Sequence, residues 1–432
     1  MAVLNGAGWM NSPDPESADL IVVNSCGFID SAKQESIDSV LEYRAAFPDS
    51  RILLAGCLAQ RYSEELSATL VEADAFFGNA DLSRISDAAD AALLRTHGVL
   101  LPAIDPTGKL DFSLSSADRP LLSLPGSAYV KITEGCDNCC SYCAIPLIRG
   151  GLRSRSIQSI FNECEGLIAR GIRELCLIGQ DLGSFGKDGA GGLYPQGACL
   201  LPDLLAALSK LKGEFWIRML YIHPDNFPLP VLELCRKDPR ILPYFDIPFQ
   251  HASAPILKAM NRRGSPQEYL DLIQGIRSML PDATLRSTFL VGFPGETEAD
   301  FQAILDFLEK AQLDWAGVFT YSREEGTPAY SMKGRVPKKV AQERKRLIEE
   351  AQTPITEQRM DRFRGKLLDI LVEERVENED GLYLGRVFCQ APEVDGATVI
   401  NADVPLVCGT FVRGRIFARA GFDLDAAYSD DR

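Results

Sequence analysis

Four cysteines stand within eight positions of the sequence: Cys136, Cys139, Cys140 and Cys143. Taken in pairs they form two CxxC units with no residue between them. A four-cysteine zinc site separates its knuckles by roughly a dozen residues so that both can face one tetrahedral ion, and this spacing argues against zinc. Taken as a triplet, Cys136, Cys140 and Cys143 spell CxxxCxxC, with the aromatic Tyr142 before the last cysteine. Three thiolates on one loop can hold three irons of a 4Fe-4S cluster and leave the fourth open to a substrate, with Cys139 outside the set. Histidine-rich zinc sites are also poorly supported, because the chain has only His97, His223 and His251.

Two more cysteines follow apolar runs. DLIVVN (residues 19–24) leads into Cys26, and RILLAG (residues 51–56) leads into Cys57; each run is followed by a helix-like polar segment. Strand then helix, repeated, implies a parallel sheet. At the carboxyl ends of its strands, helix N-termini favour thiolates, which places Cys26 and Cys57 on the same edge. The plain alternative is a pair of buried thiols at strand ends.

The elements that must position these residues read as three domains in an α/β chain of 432 residues, 46% of them apolar. Residues 1–104 read as a doubly wound α/β domain. Residues 105–126, rich in proline, serine and glycine, read as a linker. Residues 127–362 alternate strands (AYVKIT, ELCLIG, WIRMLYI, YFDIPF, TLRSTFLVG, WAGVFTYS) with amphipathic helices. Six such units are too few to close an eight-stranded barrel, so a partial (β/α)6 barrel is expected. Chemistry in such a barrel sits on the loops after the strands, which carry the four cysteines, Gln180, Asp181, His223, Gln250, His251, the turn Gly292 to Gly295, and Tyr321. For any single polar residue among these, a structural role is the simpler reading. Residues 363–432 are short-stranded and suggest a small five-stranded β-barrel.

Composition limits the partners. A net charge of -15 and a pI near 4.9 disfavour broad binding to a phosphate backbone and suit a basic protein partner. Twelve cysteines without a secretory leader point to reduced thiols and a cytoplasmic protein. No apolar run approaches the roughly 20 residues needed to span a bilayer.

With its barrel context, the cysteine triplet resembles that of the radical S-adenosylmethionine (SAM) superfamily. VVNSCGFIDSAKQESID, EGCDNCCSYCAIPLIRGGLRSR, IGQDLGSFG, DIPFQHASAPILKAMNRRG, TFLVGFPGETEADF and YSREEGTPAY together resemble the bacterial methylthiotransferase family. The resemblance implies an N-terminal auxiliary-cluster domain, a radical SAM core and a C-terminal TRAM domain, with two 4Fe-4S clusters and SAM as cofactors. It implies that Cys136, Cys140 and Cys143 hold the radical cluster, whose open iron binds SAM, and that one electron then cleaves SAM to a 5′-deoxyadenosyl radical. Cys26 and Cys57 match the second and third auxiliary-cluster cysteines. The first, from a CPKN-type motif, has no counterpart, so the N-terminal domain is expected to be truncated at its start and the auxiliary cluster short of a ligand. Gln180 and Asp181 are candidate SAM contacts, as are Gly292, Pro294 and Gly295, which could equally shape a structural turn.

One branch of this family modifies an adenosine of transfer RNA, the other an aspartate of ribosomal protein S-twelve. From residue 365 onward the chain has 13 acidic and 7 basic residues, a poor start for a phosphate-tracking surface. QAPEVDG (residues 390–396) also resembles the ribosomal-protein branch, although a plain acidic loop would explain EVDG physically. The expected reaction is methylthio transfer to the aspartate β-carbon of ribosomal protein S-twelve, free or in the small subunit. An electron donor is required; no membrane takes part and nucleic acid is not the primary substrate. The alternatives are transfer RNA methylthiolation, or a truncated protein that binds or cleaves SAM without transferring sulfur.

Overall fold

The computed structural model describes residues 1–94, 97–103, 119–190 and 192–430. Most of the expected linker, residues 105–118, lies outside the described residues. Among those described, no helix is long and apolar enough to cross a membrane. The chain forms two compact units that do not follow chain order. One comprises Met1–Pro120, Glu134–Arg153 and Ser322–Met332, the other Leu121–Thr133, Ser154–Tyr321 and Lys333–Arg432.

In the first unit, four parallel strands lie in chain order: β1 (Leu20–Ser25), β2 (Arg51–Gly56), β3 (Ala75–Phe77) and β4 (Gly98–Leu100). Side chains alternate across a strand, so the apolar run of β2 feeds two cores. Ile52 and Leu54 pack with Val40, Leu58 and Leu66 from the helices Asp30–Ala46 and Cys57–Thr69. Leu53 and Ala55 pack with Phe77, and with Ala88 and Ala92 of the helix Ile85–Leu93. Helices therefore cover both faces, as a doubly wound sheet requires.

In the second unit, six parallel strands again follow chain order: β5 (Ser127–Lys131), β6 (Glu174–Ile178), β7 (Trp216–Met219), β8 (Ile241–Asp246), β9 (Thr284–Val291) and β10 (Trp315–Thr320). Among the described residues β5 and β10 are the two edges of this sheet and do not pair with each other, so the barrel is partial and open, as the count of six units implied. Helix starts are marked locally. Thr297 accepts from the Asp300 N–H while the Asp300 carboxylate accepts from the Thr297 N–H, a capping box that opens the helix Glu298–Ala311.

Five further strands close the small barrel in the order β11-β12-β13-β15-β14: β11 (Leu367–Arg375), β12 (Leu382–Arg386), β13 (Thr398–Asn401), β14 (Phe411–Ala420) and β15 (Asp423–Ser429). Its core is continuous with Trp216, Leu242, Tyr244 and Trp315, which lie at the beginnings of β7, β8 and β10. Trp315 donates its indole N–H to the Cys389 carbonyl at 2.8 Å, and Arg218 donates to the Phe388 carbonyl at 2.8 Å. The small barrel thus caps the amino-terminal ends of the strands and leaves the loops at their carboxyl ends for chemistry. QAPEVDG belongs to this contact: Asp395 is buried and accepts from the Tyr244 hydroxyl at 2.6 Å and the Ala391 N–H at 2.8 Å. The physical work of its Asp395 is docking, as the plain reading of EVDG allowed.

Candidate functional site

The cysteine loop is built by glycine. Gly135 has φ 75°, and a Cβ there would run into the Gly150 and Gly151 carbonyl oxygens. That close approach lets Cys136 donate its N–H to the Gly150 carbonyl at 3.2 Å, while Leu152 donates to the Asp137 carboxylate at 2.9 Å. The chain is folded back on itself around the short helix Ile145–Arg149. A turn from the Cys143 N–H to the Cys140 carbonyl, 3.0 Å, sets the last two triplet positions. Cys136, Cys140 and Cys143 are half-buried, whereas Cys139 adopts a left-handed φ of 49° and is exposed.

Burial pushes the Cys143 thiol up to about 12, and the sulfurs of Cys140, Cys136 and Cys139 add to the push. Sulfurs that oppose each other's ionisation in a shielded loop are a donor set suited to a bound cationic centre, and a three-thiolate 4Fe-4S site fits these residues. Among the described residues no three His, Cys, Asp or Glu side chains stand at metal-holding separations.

Cys26 and Cys57 lie in the same unit. Ser25 and Gly56, the last residues of β1 and β2, are in register, so the two cysteines leave adjacent strands side by side. Gly27 makes the approach possible: a Cβ there would lie 2.6 Å from the Cys57 carbonyl oxygen. Cys57 opens the helical stretch Cys57–Thr69, which kinks at Tyr62. Its Sγ accepts from Asn79 Nδ2 at 3.1 Å and from Arg149 Nη2 at 3.4 Å. Arg149 also pairs through Nη1 with Glu134 at 2.5 Å. Burial works against the Arg149 charge, but Glu134 and Cys57 outweigh it and hold the guanidinium pKa above its ordinary value. A second ion cluster braces the Cys26 loop. Glu324, buried, accepts from Lys33 at 3.0 Å and Arg61 at 2.6 Å, and Arg61 also donates to the Gly27 carbonyl at 3.0 Å.

In the other unit, Gln180 and Asp181 follow β6. Asp181 spends both carboxylate oxygens on its surroundings: Oδ1 accepts from the Gly183 and His223 N–H groups at 3.0 Å each, and Oδ2 from Ser184 Oγ and Asn226 Nδ2 at 2.7 Å each. Its chemistry is organising the loop. The buried Oε1 of Gln180, in contrast, has no hydrogen-bond partner among the described residues. His223 is buried, its Nδ1 accepting from the Asp225 N–H at 3.3 Å; burial, with Arg262 adding to it, pushes the imidazole down to about 4.

Gly292 and Gly295 both have left-handed φ, 77° and 89°, on either side of Pro294. A Cβ at Gly292 would lie 2.5 Å from the Cβ of Ala341, and the Gly292 N–H donates to Glu296 Oε2 at 2.9 Å. Glu296 pairs with Arg344 at 2.5 Å and stands 3.4 Å from His251 Nε2, while His251 Nδ1 accepts from the Ser253 N–H at 3.0 Å. His251 therefore braces a turn. The residues that the sequence reading passed over are Lys33, Arg61, Asn79, Arg149 and Glu324. Arg149 lies within the motif-bearing stretch IPLIRGG, but its sulfur partner is 92 positions away.

Residues 130–308 match the Radical SAM superfamily, residues 365–428 the TRAM domain, and residues 1–78 a group described as uncharacterized protein family UPF0004. Among solved structures, the radical SAM methyltransferase TsrM from Kitasatospora setae, with tryptophan and a SAM analogue bound, is similar in fold. That likeness has a TM-score of 0.52 at 15% identity, over 76% of this chain and 66% of TsrM. The ribosomal protein uS12 methylthiotransferase RimO of Treponema denticola is 46% identical, over 99% of this chain and 96% of its own length. RimO of Geobacter sulfurreducens is 41% identical over 95% and 90%, and that of Carboxydothermus hydrogenoformans 37% over 100% and 95%. With relatives this similar over nearly its whole length, the chain belongs to the RimO family of radical SAM methylthiotransferases.

Proposed function

We propose that this protein adds a methylthio group to the β-carbon of an aspartate in ribosomal protein uS12. The observation that carries this reading is the 46% identity to an enzyme named for that activity, spanning both the cysteine triplet and the small barrel. A bound 4Fe-4S cluster with SAM would supply the one-electron chemistry that opens an unactivated C–H bond.

Cys136, Cys140 and Cys143 would hold that cluster, presented by the turn at Gly135. Cys26 and Cys57 would give two of the three thiolates that a second 4Fe-4S cluster of this family takes, kept adjacent by Gly27 and braced by the Arg61–Glu324 pair. Gln180 Oε1, without a partner among the described residues, would accept a hydrogen bond from SAM, and Asp181 would hold that loop in place. Gly292, Pro294 and Gly295 would let the backbone approach the nucleoside closely. Buried Phe289 and Phe293 would help to exclude water from reactive carbon centres. The acidic excess of the small barrel supports a basic protein substrate over transfer RNA. The reaction would draw on a cytoplasmic electron donor.

The test is anaerobic incubation of the reconstituted protein with uS12, SAM and a reductant, followed by peptide mass spectrometry. A methylthio mass increase on one aspartate is expected. Methylthio-adenosine in transfer RNA, with uS12 unchanged, would overturn the reading.

A further inference from the structure

We propose that Arg286, in the lumen of the partial barrel, binds the side-chain carboxylate of the substrate aspartate and so selects aspartate for the reaction; this rests on the uS12 reading above. Asp246 at the end of β8 and Arg286 in β9 are register partners on parallel strands, so their side chains leave the sheet on the same face. Phe289 packs edge-on against Phe307 of the helix Glu298–Ala311. Arg286 and Thr288 have the opposite parity along β9 and therefore face away from the helices, into the lumen. On the neighbouring β10, Gly317 adds no side chain to that wall: a Cβ there would lie 3.7 Å from Arg286 Nη2 and 3.8 Å from Nη1.

Two carboxylates face Arg286, and neither saturates it. Its Nε stands 3.3 Å from Asp395 Oδ1, and its Nη1 stands 3.8 Å from Asp246 Oδ1. That Nε and both Oδ1 atoms are buried without a hydrogen-bond partner among the described residues. At the amino-terminal end of the same sheet, a structural ion network has no such slack: Glu174 meets Arg218 at 2.7 Å and Arg386 at 2.5 Å. The side chains of Arg286 and Asp246 also keep 15% and 14% of their exposure, so a ligand in the lumen can reach them. A guanidinium presents its N–H groups as a fixed fork that matches a carboxylate. The β-carbon of an aspartate is one bond from that carboxylate, so fixing the one positions the other.

An incoming carboxylate is not simply repelled by Asp246. Burial pushes the Asp246 carboxyl up to about 6, against the pull of Arg286 and with a further push from Asp395. A carboxyl so placed takes up a proton when another negative charge arrives, and can then donate to it.

The experiment measures binding of uS12 to the reconstituted full-length chain, with SAM present and no reductant, so that nothing reacts. Two forms of uS12 are compared, one natural and one with asparagine at the aspartate located by mass spectrometry. The wild-type chain should bind the natural form about tenfold more tightly or better, as expected for a charge-assisted bidentate contact. Arg286→Gln should bind both forms alike, with SAM affinity unchanged. Equal binding of the two forms by the wild type overturns the proposal and leaves the uS12 reading standing if that aspartate is methylthiolated. A preference that persists in Arg286→Gln also overturns it, and a fall in SAM affinity alongside would assign the guanidinium to the SAM carboxylate instead. If Arg286→Gln does not fold, Arg286→Lys decides, since it keeps the charge beside Asp395 without the fork: an undiminished preference counts against the proposal and a reduced one supports it. Failure of the wild type to bind or modify uS12, with methylthiolation of transfer RNA, removes the uS12 reading and the proposal with it.

Discussion

Replacing Glu174 by Gln should unfasten the small barrel from the partial barrel. Glu174 begins β6 and is fully buried, with Arg218 at 2.7 Å on one oxygen and Arg386 at 2.5 Å on the other. Burial alone would raise its pKa, but the two guanidinium groups prevail and hold it at about 2, against an ordinary 4.5. A difference of that size corresponds to about 3 kcal/mol of stabilisation of the charged form. Breaking a buried ion pair from one side costs a similar amount, about 3–5 kcal/mol, because the partner's charge stays buried. Here the deficit falls on Arg218, which is fully buried and among the described residues keeps the Phe388 carbonyl and the Tyr244 ring, whereas Arg386 retains Glu373 at 2.6 Å. For a unit of this size, about 3 kcal/mol lowers Tm by about 6 °C. Two of the three tryptophans, Trp216 and Trp315, lie in the core beside this network, so fluorescence-detected thermal unfolding reads the right region. Wild-type stability from this group should be present above pH 4.5 and lost as pH falls toward 2, and the variant should lack that slope. Adding Arg218→Met to Glu174→Gln should recover part of the loss. A fall under about 1 °C in Glu174→Gln would mean that the network is stabilised by far less than its burial implies.

Cys139→Ala should leave SAM cleavage by the reconstituted protein near wild type, while Ala at Cys136, Cys140 or Cys143 should abolish it; retention in Cys136→Ala with loss in Cys139→Ala would reverse the ligand assignment. Gly27→Ala should push the Cys26 loop away from the Cys57 backbone, since its Cβ would lie 2.6 Å from that carbonyl oxygen, and should lower iron and sulfide per chain while leaving the triplet's SAM cleavage in place. His223, held down to about 4, should remain neutral from pH 7.5 to 5, which nitrogen-15 imidazole shifts in histidine-labelled apoprotein can follow. Its contribution to stability is complete above pH 6.5, where the unfolded imidazole is also neutral, and is lost as pH falls through 4.

The strands were legible because their signal is local. RILLAG is apolar from Ile52 through Ala55, and β2 buries alternate residues in two different cores. The six barrel segments were each found as strands for the same reason. The fifth strand of the small barrel, Asp423–Ser429, was harder to see. DLDAAYS alternates too weakly to announce itself, and it is recruited by pairing on both sides, parallel to β13 and antiparallel to β14. Asp181 was legible as a loop residue after a strand, but not as one whose two oxygens are already occupied by four donors. Gln180 beside it carries an acceptor with no partner among the described residues.

The sequence by itself determined where the cysteine triplet lies. CxxxCxxC confines three sulfurs to one loop, and Gly135 allows that loop to close against Gly150 and Gly151, all within a short stretch of chain. It also determined the order of α/β and β elements, because apolar periodicity is written residue by residue. Only the tertiary structure decided which charges meet. Arg149 reaches Cys57 across 92 positions, and Arg386 reaches Glu174 across 212. Such pairs leave no spacing to read: an arginine looks the same in the chain whether water or a buried carboxylate will solvate it. What distinguishes them is desolvation, since a charge removed from water must find its partner wherever the fold has brought one.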